Sequence, residues 1–225
     1  MRRIRVLLLL LALLAPVGCG GSRSEATVDL EYARDSFNRG FFLEAEAAYE
    51  RYLQKVPQGG QRAEAWSRLV EIAQNVKGDL ERSVALAEAM SLEFAADRER
   101  AFALAFQLGD LYEQQGNRQK ALEAFEKSLA AAGEKPDRIM AAQLRIARIH
   151  RSQGAYEQVQ ETLQSCLKIA PDETARATCL YELAQTYTFI QAWNKAKKAL
   201  EEILTVKSVP QETKDLSVFM LADIY

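Results

Sequence analysis

Gly40, Gly78, Gly116 and Gly154 stand 38 residues apart, and Gln191 follows 37 residues after the last of them. Each interrupts a stretch that is otherwise good helix, as in GDLYEQQGNRQKALEAFEKSL from Gly109 to Leu129. Five residues after each break comes a small or short side chain: Ala45, Ser83, Ala121, Val159 and Ala196. Four further on stand Tyr49, Ala87, Phe125, Leu163 and Leu200. A second series precedes the breaks, Ala33, Glu71, Gly109, Ala147 and Ala184, and returns at Ala222. Three residues after its members come Ser36, Gln74, Tyr112, His150, Tyr187 and Tyr225. A fixed period of this length marks a repeat array. Glycine ends the first helix of each unit, because it adopts the left-handed conformation at low cost. Small residues let two helices approach, and large ones fill the space above them. One hairpin cannot bury its apolar face alone, but stacked neighbours can.

Gly109-x-x-Tyr112 followed by Ala121-x-x-x-Phe125 resembles the tetratricopeptide (TPR) pattern, with Pro57 and Pro171 at repeat ends. The resemblance implies an all-α, TPR-type α-solenoid, a right-handed superhelix of antiparallel helix pairs. The usual TPR period is about 34, and four more residues add about one helical turn, roughly 6 Å. Five helix pairs are expected, at 26–57, 61–95, 100–132, 139–170 and 174–207, then a lone first helix at 211–225. The second repeat is degenerate, with Glu71 at a small-residue position and Ala87 at an aromatic one.

The N-terminus MRRIRVLLLLLALLAPVGCGGS has a basic start and an unbroken apolar run from Val6 to Ala15. Ten residues are too few for a bilayer core that needs about 20 helical residues. Basic start, short apolar run and small residues are the parts of an export signal, assigned here to 1–18. Val17, Gly18 and Cys19 resemble the bacterial lipoprotein box, although Pro16 stands where that box has an aliphatic residue. The resemblance implies a lipid at Cys19 and a tether over 19–26. It also implies a solenoid over 27–225 and a place on the periplasmic face of the outer membrane, because Gly20 rather than Asp follows the Cys. A cut near Gly18–Gly21, giving a soluble periplasmic protein, is the alternative. The plan is similar to that of the TPR lipoprotein of the outer-membrane β-barrel assembly machine.

Chemistry is sparse. The formal charge is −2; without Arg2, Arg3 and Arg5 it is 26 basic against 31 acidic residues, or −5. That body lacks the basic footprint of a nucleic-acid binder. The lone His150 occupies the series position of Tyr112 and Tyr187 and reads as packing. No second His or suitably spaced Cys joins it as a metal site, and no phosphate-cradling loop is present. The chain reads as non-enzymatic, without cofactor or metal. Cys166 and Cys179 are equidistant from the connection at Pro171-Asp172, hence at equal heights on a hairpin. Two packed thiols are the preferred reading; a disulfide is the alternative, permitted by export.

TPR arrays bind partners along the concave face lined by first helices. Carried onto this chain, that face holds Leu30 and Arg34, Arg68 and Ile72, Phe106 and Asp110, Leu144 and Arg148, Tyr181 and Gln185. Phe37, Glu113, Arg151 and Thr188 lie one turn on. The chaperone-type carboxylate clamp needs Lys and Asn at the first two positions, and Leu30–Arg34 or Leu144–Arg148 do not supply them. Aromatics mixed with arginines suit a peptide or a protein surface. The last helix, LSVFMLADIY from Leu216 to Tyr225, is apolar on more than one face. Phe219, Met220 and Ile224 are therefore expected to form an interface, covered by a partner, by a second copy, or by further repeats of a longer chain.

Overall fold

The computed structural model describes residues 20–225, with side chains from Glu25 onward. The expected leader and Cys19 lie outside the described residues. The chain forms two compact units that divide between Arg68 and Leu69. Every described element is helical. The order is α1 (Gly20–Asn38), α2 (Phe42–Lys55), α3 (Arg62–Glu71, continued by a π turn, Ile72–Val76), α4 (Leu80–Glu93), α5 (Arg98–Gln114), α6 (Arg118–Ala131), α7 (Pro136–Ser152), α8 (Tyr156–Ile169), α9 (Glu173–Phe189), α10 (Trp193–Thr205) and α11 (Gln211–Ile224). Helices stand close to the expected positions among the described residues, with boundaries shifted by a few residues.

One correction falls at the start. The segment expected to be a tether is helical from Gly20, as part of α1. Once the turns around the buried Ala26, Leu30 and Ala33 are fixed by packing, extending the helix backward costs far less than nucleating it.

The turn residues behave as their spacing demands. Gly40, Gly78, Gly116 and Gly154 have φ between +65° and +80°, and Gln191 follows at +58°. At four breaks the chain closes a Schellman motif. There the N–H groups of Phe41, Asn117, Ala155 and Ala192 donate to the carbonyls of Ser36, Tyr112, His150 and Tyr187 at 2.7–2.9 Å. The following helices start on side-chain caps where the sequence offers them. Asp79, Asn117 and Asp172 each accept the N–H three residues on. Gln191 is the one non-glycine residue with positive φ among those described. Replacing Gln191 by Gly should raise unfolding free energy by roughly 0.5–1 kcal/mol, the left-handed penalty of a side chain less the extra entropy glycine loses. Thermal denaturation reads it; a lower midpoint contradicts it.

Inside each hairpin, volumes are exchanged at one level. Gly109 lies under the fully buried Phe125 ring; a Cβ there would sit 2.5 Å from the ring's Cε1. In the next two hairpins alanine faces leucine, Ala147 in one cluster with Leu163 and Ala184 in one with Leu200. In the second hairpin the order inverts, and Val70 shares a cluster with Ala87. The π turn explains why Glu71 looked misplaced. It inserts one residue after Ile72, so the inward position ahead of it is Val70, fully buried, and not Glu71. Gly109→Ala should destabilise by about 1–3 kcal/mol through overpacking. Adding Phe125→Leu, the Ala–Leu pairing of the next two hairpins, should restore most of it in denaturant titration.

Candidate functional site: the exposed side of the first helices

In the second unit, α5, α7 and α9 are successive first helices. Their expected groove residues do not stand apart waiting for a ligand; most are tied to the neighbouring first helix. Arg148 donates to the Glu182 carboxylate at 2.8 and 2.6 Å, and Arg151 reaches its other oxygen at 2.8 Å. The Glu182 side chain is only 6% exposed. One helix earlier, Arg145 lies 2.7 Å from Asp110 and 3.1 Å from Glu113. Its guanidinium also sits 5.7 Å from the ring centroids of both Phe106 and Phe125. Burial pushes the Asp110 carboxyl above the usual carboxylate range, and Arg145 offsets this only in part. The first unit repeats the theme. Arg34 grips both oxygens of Glu64, one of them at 2.7 Å, and holds that carboxyl below its usual range.

Arg145, Glu182 and Glu64 were not singled out in the sequence. The signal was present: the paired residues lie 30–35 positions apart, one repeat less one or two helical turns. Opposite charges at that offset meet across adjacent first helices.

The remaining expected residues divide. Leu30 and Ile72 are 2% and 0% exposed and belong to the core, not to a groove. The reason is helical phase: they lie on the side facing their own packing partners, and the π turn shifts Ile72 further inward. Phe37 is capped by Phe42, edge-on at 5.4 Å, and by Arg68 at 4.5 Å. Phe106 stacks edge-on against Phe125 at 5.2 Å and beside Phe102 at 5.6 Å. Leu144 and Tyr181 are half-buried against the clusters around Leu163 and Leu200. Gln185 is half-buried, and the Thr188 hydroxyl turns back to the Ala184 carbonyl at 2.9 Å. What faces outward on α5, α7 and α9 is thus a braced strip of half-exposed aromatic and aliphatic side chains between ion pairs.

The terminal face is also redrawn. Met220 and Ile224 pack, with Leu221, on the cluster of Leu180, Leu200 and Ile203. The apolar face of α11 that does reach solvent is Leu216, Val218 and Phe219, the last 71% exposed. Cys166 and Cys179, both fully buried, are joined as a disulfide between α8 and α9, with Cα atoms 6.3 Å apart. Among the described residues no group of three His, Cys, Asp or Glu side chains could hold a metal ion. No described helix is long and apolar enough to cross a membrane.

Residues 102–134 and 143–177 each match a family model of the tetratricopeptide repeat. Over those two stretches the chain carries TPR repeats. Its fold is that of TPR solenoid proteins. It is similar to the crystal structure of MamA, at 15% identity over 89% of this chain and 96% of that one, with a TM-score of 0.63. A TPR protein from Parabacteroides merdae aligns at 15% identity over 92% and 73%, with a TM-score of 0.65. YrrB, described as a TPR protein with an unusual peptide-binding site, aligns at 13% identity over 88% and 93%, with a TM-score of 0.61. No curated protein matches the sequence. These TPR hairpins suit the binding of proteins or peptides, the general use of stacked-repeat surfaces.

Proposed function

We propose that this TPR chain is an exported scaffold, lipid-anchored at Cys19, that holds a protein or peptide partner at the cell envelope without chemistry of its own. The observation that carries the scaffold reading is the braced strip of Phe106, Leu144, Tyr181 and Gln185 across three consecutive first helices. Rigid ion pairs hold half-exposed apolar side chains at repeat spacing, a surface an extended peptide can follow at low ordering cost. The peptide site named for YrrB is consistent with this use. The envelope address rests on the basic start, the short apolar run and Val17-Gly18-Cys19. A Cys166–Cys179 bridge fits it, since such bonds persist in oxidising compartments. By the sorting pattern at Gly20, the periplasmic face of the outer membrane is the site assigned.

Two measurements test the parts separately. A photocrosslinker at Gln185 should give adducts with a partner in membranes, and one at Glu123 on α6 should not. Adducts from Glu123 alone would move the binding face to the second helices. Cys19→Ala should release the folded protein from the membrane fraction; full retention would remove the anchor.

A further inference from the structure

The repeats provide an internal control for what packing requires. The two residues before the turn are Asn38-Arg39, Val76-Lys77, Gln114-Gln115 and Ser152-Gln153 in the first four repeats. In the fifth they are Phe189-Ile190. The stack therefore does not need apolar residues there. Phe189 is nonetheless 71% exposed, Ile190 37% and, just past the turn, Trp193 45%. The Schellman closure at Gln191 brings these three exposed residues within five positions of one another around one turn, with the Phe189 ring 5.9 Å from that of Tyr156. Beyond Trp193 the first turns of α10 carry the exposed Lys195 and Lys198; Lys195 lies 5.5 Å over the Tyr187 ring, both line a shallow hollow with Glu202, and among the described residues neither forms an ion pair with a carboxylate. Lys197 differs, lying 3.8 Å from Glu201. The one carboxylate lining the shallow hollow beside Ile190 is Glu157.

We propose that the α9–α10 turn is a membrane-contact site for an anionic lipid surface. Phe189, Ile190 and Trp193 enter the boundary between headgroups and acyl chains, and Lys195 and Lys198 meet lipid phosphates. The chemistry favours lipid over protein. A stable protein interface buries about 800 Å² per partner in a packed patch, whereas three side chains around one turn offer much less. Aromatic residues beside lysines are the composition that seats at a membrane interface. This contact is separate from any lipid on Cys19, and would orient the stack against the bilayer whether or not that lipid is present.

The test reads the turn itself, so that binding through the N-terminus does not interfere. Trp66→Phe leaves Trp193 as the only tryptophan in the full chain. On mixed phosphatidylcholine–phosphatidylglycerol vesicles with brominated acyl chains, Trp193 emission should shift to the blue and be quenched. Phosphatidylcholine alone should weaken this response roughly thirtyfold, at about 1 kcal/mol for each of the two lysines near an anionic surface. Phe189→Ser with Ile190→Gln, the residues of the fourth repeat, should weaken it roughly tenfold as well, with helicity unchanged. Trp193 that stays in water on vesicle-bound protein overturns the proposal and leaves a protein as the occupant. Equal quenching in the Phe189→Ser, Ile190→Gln chain overturns it too.

Discussion

Reversing Arg148 and Arg151 together to glutamate should cost about 3–5 kcal/mol of stability, the range for stranding a buried charge by removing its partner. Both arginines are spent on Glu182, whose side chain is 6% exposed. The reversal would set two new carboxylates, at positions 47% and 21% exposed, against the buried carboxylate of Glu182. Adding Glu182→Gln should recover most of the loss, since the remaining pair then faces a neutral amide. Denaturant unfolding of the three chains decides the matter; a loss under about 1 kcal/mol would mean that Glu182 finds water or another donor. The result bears on function studies as well. Weaker partner capture in an Arg148→Glu, Arg151→Glu chain would report a disturbed α7–α9 contact rather than a lost ligand, so the strip is better probed at Gln185.

Replacing Cys166 and Cys179 by alanine should cost about 3 kcal/mol, the loop-closure value for a bridge spanning some 14 residues. The bridge lies between α8 and α9, across a connection that packing alone must otherwise hold. A thiol count on denatured protein should find neither cysteine reactive until reductant is added. Two reactive thiols besides Cys19 before reduction would show that they only pack. Reductant should lower the unfolding midpoint of the native chain to that of the alanine pair, and leave the alanine pair unchanged.

Much of the fold was legible because its signals are local. A glycine that ends a helix, a small residue facing a large one and a regular spacing can all be read along the chain. Gly116 and the Ala121–Phe125 step are examples. The second repeat hid itself, because a π turn shifts phase by one residue and no residue type announces it. Glu71 was therefore assigned the place that Val70 fills. The candidate site was less legible. Arg148, Arg151 and Asp110 could be read onto first helices from their spacing, but their charge partners Glu182 and Arg145 lie in the adjacent repeat, and pairing is a property of two helices at once. Cys166 and Cys179 sat at matched heights, yet equal height permits either a bond or simple contact. Leu30 shows the limit of carrying positions over from a family, because a shift in helix phase turns a groove residue into core.

The seating of Gly109 beneath Phe125 has a consequence for how such a chain can be recombined. Crossovers placed at the hairpin turn, near Gly116, would hand the ring of one parent to the floor of another, and offspring joining Val70 to a phenylalanine would be overfilled. Crossovers placed after the second helix, near Gly133, keep floor and ring together as one inherited block. Chimaeras joined at the second kind of site should be recovered folded far more often.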